Sequence, residues 1–364
     1  MSKSNMPVLT VNKAVTQLKN AYCAVIRKNL ALNFLPSIML WGPPGVGKSQ
    51  GVRQLASEIQ FETGKTVCLT DVRLLLFNPI DLRGIPTANA DKTLAVWLRP
   101  KIFQMDGSEG IVNILFLDEL SAAPQSVQAA AYQITLDRTV GEHRLPENCI
   151  VIAAGNRVTD KSVAYNMPKA LANRLCHIEI QSDFESWKVW AIKKGIHEKI
   201  TGYLTFRKTA LDQFEADDSL AFPTPRSWEM ASNVLNAASG NIEAAYPMIA
   251  GCVGLGTAIE LRTWAKIYDG LPMVEDIFAG KEAVVPMQPD MLYALISSMT
   301  AYANKNKDDL TGIGYSIRYA LQMPPDFSTI LINDYFAFGE AFKKKLMKLP
   351  ELADWLKRSG KHLL

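Results

Sequence analysis

The sequence contains no C-x-x-C pair, and its five cysteines (Cys23, Cys68, Cys149, Cys176, Cys252) are scattered along the chain. An odd, unspaced set argues against a disulfide framework and against structural zinc, and for a reducing compartment. Cys68 and Cys149 fall inside apolar, strand-like runs, where a thiol behaves as a small hydrophobe. No apolar run approaches the ~18 residues that a membrane span needs. The first residues lack the apolar stretch of a signal peptide, so the cytoplasm is the expected location. Neither sign of charge dominates: 39 Lys+Arg against 36 Asp+Glu leave a net +3. That is too little to demand nucleic acid or an anionic membrane as a partner. Internal repeats and low-complexity linkers are also absent.

What the chain does have is an ordinary globular composition, 48% hydrophobic and 21% charged over 364 residues, enough for two or three domains with a core in each. Basic residues gather only at the end. From position 341 onward Lys343, Lys344, Lys345, Lys348, Lys357, Arg358 and Lys361 face two acids, Glu351 and Asp354. A solvated helix face accounts for them.

One stretch organises the rest. Gly42-Pro43-Pro44-Gly45-Val46-Gly47-Lys48-Ser49 follows the apolar run Ile38-Met39-Leu40-Trp41 and precedes a helix-like segment. This is G-x-x-x-x-G-K-[ST] in the strand–loop–helix setting that the motif requires. Glycines let backbone N–H groups curl around a polyphosphate with no Cβ in the way, and the following helix aims its positive end at the same phosphates. Lys48 can reach the β- and γ-phosphates, and the Ser49 hydroxyl can ligate Mg²⁺. A chance Gly/Pro turn is the alternative, which the flanking strand and helix disfavour.

The second signal is Asn113-Ile114-Leu115-Phe116-Leu117-Asp118-Glu119, 70 residues downstream of the lysine (118 − 48). A central parallel strand reads as a continuous apolar run, and ligands bind at the carboxyl ends of such strands. Two acids placed there suit Asp118 as a Mg²⁺ holder and Glu119 as the general base for an attacking water. A capping pair for the next helix, expected over 122–136, is the bland alternative.

Other elements follow from pattern. Thr10 is a plausible N-cap for a helix with Leu18, Tyr22 and Val25 on one face, ending near Asn33. Strands are expected over 37–41, 66–70 (a second buried strand), 113–117, 149–154 and 177–180, with a helix up to Thr63 stopped by Gly64. Residues 78–100 read as a protruding hairpin with a polar tip at Asn89-Ala90-Asp91-Lys92, or as an ordinary surface loop. Residues 137–146 suggest a second hairpin turning at Gly141, with His143 facing solvent. Asn156 follows the strand over 149–154, where a carboxamide can orient a lytic water or touch a γ-phosphate. A short helix over 168–173 precedes Arg174. Alternating strands and helices mean a parallel sheet.

Beyond Asp183 only helices are expected, among them 289–303 with the stripe Leu292, Leu295, Ile296 and Met299. In Phe222-Pro223-Thr224-Pro225-Arg226 the threonine reads as N-cap and Pro225 as N1. Arg226 then opposes the helix dipole, a conflict that a bound anion relieves.

Taken in order, residues 42–49, Asp118-Glu119, Asn156, Arg174 and Arg226 resemble the AAA+ ATPases, and the chain is similar to the MoxR branch in Leu40–Ser49, the Asp81-Leu82-Arg83-Gly84 insert, the hairpin at 137–146 and Phe222–Arg226. The resemblance covers roughly residues 36 to 240. It implies an α/β P-loop core with a five-stranded parallel sheet (1–182), a helical lid (183–272) and a helical extension (273–364). Gly42, Pro43, Pro44, Gly45, Val46, Gly47, Lys48, Ser49 and Asp118 would bind ATP or ADP, with Mg²⁺ on Ser49 and Asp118. Glu119 would be the base, Asn156 sensor 1, Arg226 sensor 2, and Arg174 the arginine finger of a neighbouring site. A helix C-terminus welcomes a cation at Arg174 in any case. The resemblance further implies a hexameric ring, two hairpins facing its pore, a remodelled protein client and a von Willebrand factor A domain partner. The branch commonly has Thr-Gln-Asn-Pro around sensor 1, where this chain has Ala153-Ala154-Gly155-Asn156-Arg157.

Three other function classes fit less of the sequence. A nucleic-acid motor or restriction-type NTPase would use the basic tail, but no basic stripe with interleaved aromatics appears in the core. A low-turnover nucleotide-switch scaffold has no need of the Asp118-Glu119 pair, and a small-molecule kinase would need an acceptor lid that is not evident.

Overall fold

The structure, a computed structural model, describes residues 6–157, 160, 165, 167, 169–214 and 219–359. Two units divide the chain, Met1–Asp183 and Phe184–Leu364. Among the described residues the first holds the strands β1 (Val8–Thr10), β2 (Ile38–Trp41), β3 (Thr66–Arg73), β4 (Ile85–Ala88), β5 (Ala95–Leu98), β6 (Ile111–Asp118), β7 (Thr139–Val140), β8 (His143–Arg144), β9 (Cys149–Gly155) and β10 (Cys176–Gln181). Its helices are α1 (Val11–Arg27), α2 (Lys48–Thr63), α3 (Pro79–Arg83), α4 (Gln125–Asp137) and α5 (Lys169–Ala172).

Six strands form one parallel sheet in the order β1-β10-β2-β9-β6-β3. Five are those expected. The sixth, β1, pairs Val8 with Glu179 at the sheet edge, and its three residues are too few to show a period.

Helices cover both faces of the central strands. Ile38 and Leu40 of β2 join Leu18 and Tyr22 of α1 and Leu55 and Ile59 of α2 in one core. Met39 goes to the opposite core with Leu115, Leu117, Val151 and, from α4, Ala131 and Ile134. Burial on both faces is why β2, β6 and β9 read as unbroken apolar runs. The expectation of a second buried strand over 66–70 is corrected: β3 is an edge strand, partnered among the described residues only by β6. Cys68 is accordingly exposed and is no core residue, whereas Cys149 is buried.

The Thr10 hydroxyl accepts from the Lys13 N–H at 3.3 Å, capping α1 as expected. The helix stops at Arg27, short of the expected Asn33. Asn29 turns left-handed at φ 52°, and the N–H groups of Asn29 and Leu30 return to the carbonyls of Ile26 and Val25, a Schellman closure. Gly64 ends α2 at φ 68°. Helix α4 starts at Gln125, later than expected, because residues 119–123 form a turn instead. Position 168 of the expected short helix lies outside the described residues.

The second unit is helical: α6 (Phe184–Lys194), α7 (Glu198–Phe206), α8 (Pro225–Ala237), α9 (Ile242–Val253), α10 (Leu255–Ala265), α11 (Val274–Phe278), α12 (Pro289–Lys305), α13 (Leu310–Ala320), α14 (Pro325–Phe336), α15 (Glu340–Leu346) and α16 (Pro350–Ser359). One core gathers around Trp228, Ile200 and Leu261, another around Ile317, Leu331 and Trp355. The expected stripe of α12 (Leu292, Leu295, Ile296, Met299) is buried in the second core, while Ala294 joins the first. A buried ion pair ties these helices together. Lys188 Nζ lies 2.7 Å from Asp334 Oδ1, and the Thr300 hydroxyl donates to Oδ2 at 3.2 Å. Burial raises the Asp334 pKa, and the Lys188 ammonium pulls it back. Lys344, Lys345, Lys348, Lys357 and Arg358 are exposed, a solvated basic face. No helix among the described residues is long and apolar enough to cross a membrane.

Candidate nucleotide site

The carboxyl ends of β2, β6 and β9 converge on one place, and each strand delivers a polar group there. Leaving β2, the chain turns through Gly42 at φ 151°. A Cβ at Gly42 would come within 2.5 Å of the Ile180 carbonyl oxygen, so both conformation and space demand glycine. Gly47 takes a left-handed φ of 103° and starts α2 without a side-chain cap and with no acid in the first turn. The first N–H groups of α2 therefore remain available to an anion.

Lys48 is buried and bends back along the loop. Its ammonium donates to the Gly42 carbonyl at 2.5 Å, to that of Pro43 at 3.0 Å and to Asn156 Oδ1 at 3.0 Å. Because an ammonium only donates, the Asn156 oxygen is the atom facing it. Ser49 donates from Oγ to Asp118 Oδ2 at 2.7 Å, and the other oxygen of Asp118 accepts the Glu119 N–H at 2.9 Å. Residues 43–46 complete the loop, with Val46 buried in the core beneath it.

Glu119 lies in the left-handed region at φ 61° and is half-buried. Non-glycine residues held there are strained by about 1–2 kcal/mol, and such strain gathers at functional sites. The turn that imposes it is pinned to β9. The Leu120 N–H donates to the Ala154 carbonyl at 2.8 Å, and Ser121 Oγ accepts the Asn156 N–H at 2.8 Å. A Cβ on Gly155 would stand 2.7 Å from Ser121 Oγ and 2.8 Å from the Met39 methyl. Glycine in Ala-Ala-Gly-Asn is thus a matter of close approach, not of φ.

Sequence reasoning passed over several residues around this centre. Arg157 pairs with Asp160 at 2.6 Å and with Glu179 of β10 at 2.5 Å, and both acids are buried. Ser121, Asp160, His177 and Glu179 carried no recognisable spacing, since only the fold makes them neighbours.

The structure joins Lys48, Ser49, Asp118 and Asn156 by direct hydrogen bonds, with Glu119 adjoining Asp118. Arg174 lies apart from that group in the turn between α5 and β10, exposed and without a hydrogen bond or ion pair to any described residue. Arg226 belongs to the second unit. Thr224 caps α8 with Ser227 in a capping box and Pro225 in the first turn, so Arg226 sits exposed on that first turn as expected.

Both hairpins form. β4 pairs with β5 from Ile85↔Leu98 to Ala88↔Ala95, and β7 pairs with β8 around Gly141 at φ 56°. His143 is not solvent-facing as expected: it is half-buried and its Nε2 lies 2.8 Å from the Trp97 carbonyl of β5. A Cβ on Gly141 would approach the Arg83 carbonyl to 2.6 Å. The two hairpins therefore lean on each other.

Residues 37–177 match the family model described as ATPase family associated with various cellular activities (AAA). The first unit has the P-loop AAA+ ATPase fold. No curated protein sequence matches the chain. Similar solved structures include a provisionally assigned ATPase from Cytophaga hutchinsonii, 17% identical, covering 66% of this chain and 83% of that one with a TM-score of 0.33. A point mutant of RuvB from Thermotoga maritima is 14% identical over 81% of this chain and 86% of that one, TM-score 0.40. NtrX from Brucella abortus is 15% identical over 82% and 64%, TM-score 0.36.

The oxygens of Ser49 and Asp118 suit a hard divalent cation, and among the described residues no group of three or more His, Cys, Asp or Glu could hold a metal ion. Two protein oxygens with the other positions left to water and phosphate is the way Mg²⁺ is usually held.

Proposed function

We propose that the protein is an ATPase of the MoxR branch of the AAA+ proteins, acting in the cytoplasm as a ring, with six subunits, to remodel or activate a protein client. A von Willebrand factor A domain protein is the partner that this reading implies. The carrying observation is the joining of Lys48, Ser49, Asp118 and Asn156, from three different strand ends, by hydrogen bonds of 2.7–3.0 Å with Glu119 beside them.

In this reading the non-proline N–H groups of the loop over residues 42–49 and the Lys48 ammonium hold the β- and γ-phosphates of ATP. Ser49 and Asp118 would hold Mg²⁺, which when bound neutralises phosphate charge. Glu119 accepts the proton of the attacking water, and Asn156 orients that water or the γ-phosphate from its strand end. The products are ADP and phosphate. Arg226 contributes a cation from the helical part, and Arg174 reaches the site of a neighbouring subunit. The chain divides into a core (1–182), a lid (183–272) and a helical extension (273–364).

A mixing experiment tests the ring. An arginine finger contributes about 10³–10⁵ in rate in related phosphoryl transfers. Arg174→Ala and Lys48→Ala should each be nearly inactive alone. Mixed after dissociation and reassembly, they should recover activity at interfaces where an intact loop meets an intact finger. A C-capping arginine is worth only about 0.3–1 kcal/mol within its own subunit and cannot act across one. A fully active Arg174→Ala, or no recovery despite demonstrated co-assembly, rejects the finger.

A further inference from the structure

Between the strand that launches the phosphate loop and the turn that carries Arg174 stands one imidazole. Trp41, the last residue of β2, donates its indole N–H to His177 Nδ1 at 2.8 Å, and the two rings stack with centroids 6.0 Å apart at 20°. On its other side His177 Nε2 lies 2.7 Å from the carbonyl oxygen of Ala172, the last residue of α5. Chemistry sets the tautomer. An indole N–H can only donate, so Nδ1 is the acceptor and Nε2 carries the proton given to Ala172. No other side chain type offers an acceptor and a donor on opposite edges of one small rigid ring.

That carbonyl also accepts the Leu175 N–H at 3.2 Å, a bond that closes a four-residue turn over 172–175 with Asn173 and Arg174 as its central residues. His177 thus clamps the oxygen on which the turn is built. Arg174 itself is exposed and has no anchoring partner among the described residues, so its direction is set by its backbone. Next to Trp41 in the chain is Gly42, whose carbonyl holds the Lys48 ammonium.

We propose that His177 is a positioning residue for ATP hydrolysis, fixing the Arg174 turn against the strand that leads into the phosphate loop, so that the guanidinium is presented in one direction to a neighbouring subunit. This rests on the reading of Arg174 given above. A displacement of about 1 Å at a catalytic group can cost roughly 10²-fold in rate, and the two bonds of His177 hold the turn within that tolerance. The effect belongs to the subunit that offers the arginine, not to the subunit that binds the ATP.

The test compares His177→Ala, His177→Gln, Trp41→Phe and Arg174→Ala, each alone and each reassembled with Lys48→Ala, with ATP binding and steady-state turnover measured separately. His177→Ala should bind ATP as the parent does and lose about 10- to 10²-fold in kcat with KM little changed. His177→Gln, whose carboxamide N–H can reach the Ala172 carbonyl, should recover most of that loss. Trp41→Phe keeps an aromatic ring but removes the N–H together with the five-membered ring that carries it, and should show a smaller loss of the same kind. Mixing with Lys48→Ala should restore the His177 variants as it restores Arg174→Ala. If His177→Ala does not fold, as judged by thermal melting, the Gln and Trp41→Phe variants carry the test. His177→Ala or Trp41→Phe at the parental rate beside an inactive Arg174→Ala overturns the proposal alone. So does a slow His177 variant that co-assembles with Lys48→Ala and is not rescued while Arg174→Ala is, since His177 would then act on its own phosphate loop. An Arg174→Ala protein with full activity overturns the finger reading, and the proposal with it, in a measurement independent of His177.

Discussion

The Lys48 ammonium and the Asn156 carboxamide share a 3.0 Å hydrogen bond, linking the first residue of α2 to the residue that follows β9. The same nitrogen is held by two loop carbonyls, so in the proposed binding mode Lys48 would trade these neutral acceptors for phosphate oxygens. Neutral acceptors are weaker partners for an ammonium than charged ones.

Making that acceptor ionic should shift the trade. Asn156→Asp sets a carboxylate against the Lys48 ammonium, and ATP binding should weaken by about tenfold or more, since hydrogen bonds to charged groups are worth ~1.5–3 kcal/mol. Asn156→Ala should bind ATP normally and lose turnover by roughly 10²-fold. Titration with a fluorescent ATP analogue, beside phosphate release, separates the two. Equal affinities for the Asp and Ala variants would mean that the bond to Lys48 has no bearing on nucleotide binding.

Glu119, the base in the proposed reaction, has a strained backbone at φ 61°. Glu119→Gln should retain ATP binding and lose about 10²–10⁴ in turnover. Glu119→Gly should abolish hydrolysis equally and raise the melting temperature, because glycine relieves roughly 1 kcal/mol of left-handed strain. A melting point unchanged or lowered in the glycine variant shows that the conformation is not strained.

The two hairpins should serve the client and not the chemistry. Removing the tip at residues 89–92 should leave basal hydrolysis near the parental value and abolish stimulation by a partner or client. His143→Ala, which loses the bond to the Trp97 carbonyl, should reduce that stimulation in part. Loss of basal hydrolysis in either protein would place the hairpins within the catalytic unit.

Stability of the second unit should depend on pH through His197. Burial, with help from Lys199 and Lys305, lowers its pKa to about 4, and its Nδ1 accepts the Lys199 N–H at the start of α7. The sign follows from linkage. Between the unfolded value of about 6.5 and the folded value only the unfolded chain takes up the proton, so stability is full above 6.5 and falls as the pH drops towards 4, by a loss on the order of 2–3 kcal/mol. His197→Asn keeps a capping acceptor that does not titrate. Urea unfolding at pH 7 and pH 4.5 should show a smaller drop for the Asn protein than for the parent, and equal drops would assign the loss to other groups.

The phosphate loop, the acidic strand end and the alternation of strands and helices were legible in the sequence because they depend on local order. Residues 42–49 are contiguous, Asp118 and Glu119 follow an apolar run, and glycines, caps and burial on two faces leave periodic marks. Thr224, Pro225 and Arg226 were placed correctly for the same reason, since a cap is set within a few residues of chain.

Tertiary structure alone decided what lies far apart in sequence. Strand pairing brings Glu179 beside Trp41 and Val8, Arg157 against Glu179, and His177 between Trp41 and Ala172. It also made β3 an edge, so that Cys68 is exposed in a stretch whose composition reads as core, and turned His143 from a free tip into a contact with β5. The reason is physical. A residue's type states which bonds it can make, but which partner comes within 3 Å is set by strand order and register, and those follow from the burial of whole faces and not from any single side chain.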